Sequence, residues 1–211
     1  MIWQIFVGSL FLSLIHALIP NHWIPLIAIS KTEKWSDRET LLATFITGIS
    51  HTLSTIIIGI IVGYVGIKLT ASYHYITKIA APLILLVIGI IYLLLDLKSS
   101  HHHHHFDKAN EPVKNSKSKI AVITSISTAM FFTPCIEIEA YYFQAGTIGW
   151  PGIFTVSIVY LSVTLFIMLT LVYLGLKGVS RLNSHYLEHH EKRITGAVLV
   201  LLSLLAYFVK F

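Results

Sequence analysis

The apolar residues of this chain come in runs too long for the core of a soluble domain. A run of about 18 or more largely uncharged residues is long enough to cross a bilayer as a helix. Such runs recur through the 211 residues, of which 55% are hydrophobic and 12% charged, and the mean hydropathy is +0.76. So few charges cannot cover that much apolar surface in water. The pattern predicts an all-α, polytopic membrane protein with six transmembrane helices, at about 2–30, 40–69, 76–97, 120–143, 153–176 and 194–209. Residues 1–18 carry no basic leader and no small-residue cleavage pattern, and are read as a retained helix.

Charge sets the orientation. The segments after the first, third and fifth spans hold twelve of the fifteen Lys and Arg, and only Lys68, Lys78 and Lys210 fall on the other side. The positive-inside rule then puts both termini outside the cell (inner) membrane and the three basic loops in the cytoplasm. The net charge of +5 is accounted for by topology and implies no nucleic-acid partner.

The chain divides into a three-helix half at 1–97, a loop at 98–119 and a second three-helix half at 120–211. An odd number of spans per half forces the halves into opposite orientations, a 3+3 inverted repeat. Prolines fall at matching places. Pro20 stands 11 residues before Lys31, and Pro134 stands 10 residues before Gln144. Each removes a backbone donor, so the first and fourth helices are expected to be broken. Paired interruptions of this kind are where transport sites form.

Ionisable groups inside spans carry the chemistry. A charge at the bilayer centre costs roughly 2.5–3.5 kcal/mol even on the milder insertion scale. His16 and His22 lie in the first span, His51 in the second, and Glu137 and Glu139 in the fourth. Imidazole with carboxylate suits a divalent transition metal or a proton relay. On a regular helix His16 and His22 face different ways, and a break at Pro20 would bring them together. Glu137 and Glu139 either complete the site or sit at the outer interface. Cys135 is either a soft ligand or a packing residue. As the only cysteine it forms no intramolecular disulfide or two-cysteine relay, which argues against a thiol-electron carrier. No phosphate-cradling glycine loop occurs, so no internal ATPase is expected, and nothing points to an enzyme.

Two further histidine groups lie in basic loops. His101, His102, His103, His104 and His105 form an unbroken run, and such tracts bind metals weakly and flexibly. His185 and His189 accompany Glu188 between the fifth and sixth spans, on one face if that stretch is helical. Gly59 and Gly63 form a G-x-x-x-G pair suited to close helix packing. Ser50, Thr52, Ser54 and Thr55 either orient His51 or bond back to their own helix.

The string His16-Ala17-Leu18-Ile19-Pro20-Asn21-His22 resembles the H-A-L-x-P-G-H signature of the NicO-type nickel/cobalt transporter family. Ser50-His51-Thr52 resembles that family's T-H-T. The six-span layout and the histidine-rich loop are similar to its efflux members, within the wider lysine-exporter superfamily. Asn21 stands where the family has glycine, and Trp23 and Pro25 follow where small or polar residues are usual. The motif match covers roughly residues 10–60. The resemblance implies that His16, His22 and His51 lie on a metal path.

Two functions are therefore expected to compete. One is a proton-coupled efflux transporter for a divalent metal, nickel or cobalt first and zinc or manganese open, with no permanently bound cofactor. The other is a membrane accessory or sensor protein that binds metal without moving it. The bilayer and the metal ion are the expected partners, and a homo-oligomer is left open.

Overall fold

A computed structural model describes residues 2–20, 22–98, 119–177 and 184–208, with backbone alone at 73–78, 95–98, 184–192, 205, 206 and 208. The described residues are helical, without strands. The helices are α1 (Ile2–Leu18), α2 (Ile24–Thr32), α3 (Asp37–Lys98), α4 (Lys119–Phe131), α5 (Ile136–Gly146), α6 (Trp150–Leu176) and α7 (Ser184–Phe208).

Both expected breaks are present. The segment expected as the first span is divided between α1 and α2, and that expected as the fourth between α4 and α5, which meet at a 51° bend. Pro134 has no N–H, so the Met130 carbonyl four residues earlier loses its helical partner. Pro20 does the same to the carbonyl of His16, which instead takes the Ile19 N–H at 3.2 Å.

The 62-residue run of α3 is not straight. His51 and Tyr92 both reach the same carboxylate–histidine group, yet a straight helix would hold residues that far apart at about 62 Å. The run therefore has two arms, Asp37–Ser72 and Ile79–Leu94, which double back on one another. The sequence expects its second and third spans at these places.

Asp37–Ser72 and Trp150–Leu176 are long and apolar enough to cross a membrane, and the bent α4–α5 pair makes a third if it counts as one span. The first arm of α3 is turned inside out relative to a soluble helix. Thr40, Thr44, Thr47, His51, Thr52 and Thr55 are buried, while Leu42, Phe45, Ile46, Leu53, Ile57 and Ile61 are exposed. Polar groups inside and large apolar groups outside are what hydrocarbon surroundings favour.

The helices pair across the two halves of the chain. α1 and α2 pack on α6, α5 packs on the first arm of α3, and the second arm of α3 packs on α7. Glycine makes these crossings close. At Gly63 a Cβ would lie 2.8 Å from Ile153, and at Gly59 it would overlap the Tyr142 ring, so the expected G-x-x-x-G pair is a packing surface. Gly89 and Gly196 face each other in the same way, each Cβ falling within 2.9 Å of the other's carbonyl. Ser203 of α7 donates to the Pro82 carbonyl at 2.8 Å.

Candidate metal centre

Four donor side chains converge where the two breaks meet. His16 comes from the last turn of α1, His22 from the gap before α2, His51 from the first arm of α3, and Cys135 from the residue that starts α5. One ligand atom from each lies within 4.8 Å of all the others. The Cys135 Sγ is 3.2 Å from the Nε2 of His16 and 3.2 Å from that of His51. Those two nitrogens are 3.5 Å apart. The His22 ring stands over both, its centroid 4.6 Å from His16 and 4.8 Å from His51. His16, His51 and Cys135 are buried, and His22 is half-buried. His16 is 14 residues from the start of α1 and His51 is 14 from the start of α3. At about 1.5 Å per residue the group lies some 21 Å from the start of each of these helices, well inside the bundle.

The outer nitrogens fix which atoms face the middle. His51 Nδ1 lies 3.2 Å from the Met130 carbonyl, the one freed by Pro134. A carbonyl only accepts, so Nδ1 carries the proton and Nε2 presents a lone pair to the cluster. His16 Nδ1 donates to Glu137 Oε1 at 3.1 Å, with the same consequence. The other oxygen of Glu137 accepts from the Tyr92 hydroxyl at 3.2 Å. A carboxylate or carbonyl behind each imidazole is the outer layer that orients metal-binding histidines. Tyr160 donates to the Cys135 sulfur at 3.7 Å.

This cluster can hold a metal ion. Two lone-pair nitrogens and a sulfur that close together repel unless a cation or a proton lies between them. Imidazole and thiolate are ligands for zinc and the later first-row metals. A dication bound by the Cys135 thiolate beside the Glu137 carboxylate leaves no net charge, which offsets the cost of burying it. A cavity of about 340 Å³ reaches the cluster at His16, His22 and Cys135, with Tyr92, Met130, Thr133 and Pro134 among its walls.

No family model, curated protein or solved structure matches this chain. The site is read from its own geometry.

The residues expected from sequence are sorted by that geometry. His16, His22 and His51 are brought together. Cys135 points its sulfur into the cluster. Glu137 is buried behind His16, where it also borders the cavity. Glu139 points elsewhere, with both carboxylate oxygens buried and no hydrogen-bond partner among the described residues. His101, His102, His103, His104 and His105 lie outside the described residues. His185 and His189 fall in the helical backbone at the start of α7, and their side chains are outside what is described. The hydroxyls around His51 do not orient its ring. Thr52 bonds the Gly48 carbonyl, Ser54 and Thr55 bond that of His51, and Ser50 reaches across to Ser127. Tyr92 and the Met130 carbonyl escape sequence reasoning. The only signal for the second was Pro134, four residues downstream.

Proposed function

We propose that this chain is a secondary transporter for a divalent transition-metal ion, six-spanning and built as a 3+3 inverted repeat. The observation that carries the reading is the meeting of four donor atoms, three from the two helix breaks and one from α3, inside an apolar bundle and beside a cavity. A transport site needs ligands on segments that can move relative to one another. Here the donors come from two broken helices and a third element.

The helix pairing is what such a repeat would produce. Exchanging the halves swaps the first span with the fourth, the second with the fifth and the third with the sixth. The contact of the first span with the fifth then becomes that of the fourth with the second, and the third–sixth contact maps onto itself. All three pairings occur.

The resemblance to NicO-type transporters favours nickel or cobalt. Export is preferred because a weak chelating run such as His101 to His105 best serves the side from which ions are collected, the cytoplasm by the charge argument. Glu137 and Glu139 are the groups available for exchange with protons.

One observation favours the second reading, a metal-binding accessory or sensor protein. Four protein donors, with orienting partners behind His16 and His51, match the ligand number of tightly held structural ions. Flux separates the two. Purified protein in liposomes should move nickel, cobalt or zinc down an imposed gradient, faster with an opposing proton gradient. Saturable binding without flux of any of these ions or of manganese overturns transport.

A further inference from the structure

The cluster divides the bundle into two parts that are packed differently. By the charge argument α1 runs inward and α4 and α5 run outward. The segment after His16 and the one before Cys135 therefore lie on the cytoplasmic side of the cluster. The rest of α5, and α1 before His16, lie on the outer side.

The outer part is tightly closed. Nine of the eleven residues of α5 are buried, which places this helix inside the bundle rather than on its rim. It is clamped there at backbone distance. A Cβ on Gly146 would overlap the Gly63 carbonyl, one on Gly152 would overlap that of Ala145, and one on Gly66 would lie 2.7 Å from that of Phe143. The Tyr141 hydroxyl reaches the carbonyls of Gln4 and Ile5 on α1 at 3.4 and 3.5 Å. Helices in contact through their backbones leave no room between them for a hydrated ion.

The cytoplasmic part is loose. The 51° bend turns α4 out of the line of α5. No residue of α4 is buried, and Thr47 and Ser50 on the first arm of α3 bond it at Ser127. The cavity opens on this side. Beyond the cluster its walls are Ile19 after the first histidine and Met130, Thr133 and Pro134 before the cysteine. No residue of α5 past Glu137, and none of α1 before His16, lines it. At about 340 Å³ it has room for roughly ten waters of about 30 Å³ each, so an ion can enter with part of its hydration shell.

We infer that this structure is an inward-facing state: a metal ion reaches the His16–His22–His51–Cys135 cluster from the side of the basic loops, and α5 clamped on the first arm of α3 is the closed outer gate. The inference rests on the proposed function in taking the cluster as the metal site and the bundle as membrane-spanning. It adds which side loads the site. Loading from the cytoplasm is the half-cycle with which export begins, and release then requires α5 to part from α3 at the glycine contacts.

Cys135 is the only cysteine and so serves as its own probe. The full chain, in right-side-out and inside-out membrane vesicles, is treated with a small, membrane-impermeant, cationic methanethiosulfonate. The Cys135 sulfur forms a disulfide with the reagent and methanesulfinate leaves. E33C in a C135S background, at an exposed residue of the first basic loop, marks the basic face independently. Cys135 should react from that same face about tenfold or more faster than from the other, because a minor outward-facing state is populated at no more than about a tenth. Zinc chloride should slow the reaction. S13C in a C135S background, buried about one turn to the outer side of His16, should resist the reagent from the outer face. Equal rates from the two faces, faster reaction from the outer face, or no reaction of Cys135 short of denaturation would overturn the inference. So would S13C reacting from the outer face. If zinc leaves the rate unchanged, the cavity does not lead an ion to Cys135 and the inference fails. Flux in liposomes is scored separately. One-sided, zinc-sensitive labelling without flux sinks the transporter and leaves the inward opening standing.

Discussion

The break between α1 and α2 supplies imidazole, whereas the break between α4 and α5 supplies a thiol, a carboxylate and a freed carbonyl. Both are made by a proline that deletes one helical hydrogen bond, and in both the freed carbonyl is taken by the N–H three residues on, yet only one carbonyl also holds a ligand ring. At the first, the orphaned His16 carbonyl is taken by the Ile19 N–H within the same segment, and the Trp23 indole covers the Leu18 carbonyl at 3.4 Å. This break closes on itself. At the second, the Met130 carbonyl likewise accepts from its own segment, from the Thr133 N–H at 3.3 Å and hydroxyl at 3.1 Å, and in addition from His51 Nδ1, on a different helix, at 3.2 Å. This break reaches outward and fixes the ring of a ligand it does not itself carry. The difference teaches that a broken helix can contribute through its backbone as well as its side chains. It also makes the two breaks unequal, the first supplying two ligand imidazoles and the second a sulfur together with the groups that orient His16 and His51.

His16 belongs to both sides of that contrast, since its Nε2 faces Cys135 and its Nδ1 is held by Glu137. His16→Ala should therefore have the largest effect, taking metal flux in liposomes to background. Near-normal flux would remove the cluster from the path. Glu137→Gln keeps the shape but not the charge behind His16. Metal affinity measured by titration should fall about 10–100-fold, the usual cost of losing an orienting carboxylate, and an unchanged affinity would reduce Glu137 to packing.

The proline pair tests the comparison most directly. Pro134→Ala restores an N–H that competes with His51 for the Met130 carbonyl, so metal affinity should drop several-fold, roughly at the lower end of outer-layer effects. Pro20→Ala should cost less, because the His16 carbonyl accepts from the Ile19 N–H and orients no ligand ring, whereas the Met130 carbonyl holds His51. Equal effects, or the reverse order, would break the distinction drawn between the two breaks. The smallest effect belongs to the loop. Replacing His101 to His105 with Ser should lower apparent affinity in transport while leaving maximal flux, and complete loss would put the run on the path itself.

Much of the helical layout was legible from the chain alone because apolar runs and prolines are local signals. Hydrocarbon-length runs predicted helices where α3, α6 and the α4–α5 pair lie, and Pro20 and Pro134 marked the breaks. α7 begins ten residues earlier than the last apolar run, because its first turns are polar and carry no hydropathy signal. The three histidines were legible as candidates because an imidazole in an apolar helix is costly wherever the helix goes.

What the tertiary structure alone decided is who meets whom. Cys135 read more readily as a packing residue until the α4–α5 bend aimed its sulfur at two imidazoles from distant parts of the chain. Glu137 and Glu139, two residues apart on the first turn of α5, point to different fates: one bonds His16 and Tyr92, and the other's oxygens find no partner among the described residues. The tautomers of His16 and His51 follow from contacts across 121 and 79 residues of sequence. Hydropathy and proline act through neighbours along the chain, and so are written in the sequence. Ligand geometry depends on crossing angles and on glycine contacts between helices, and is defined only once the bundle has closed.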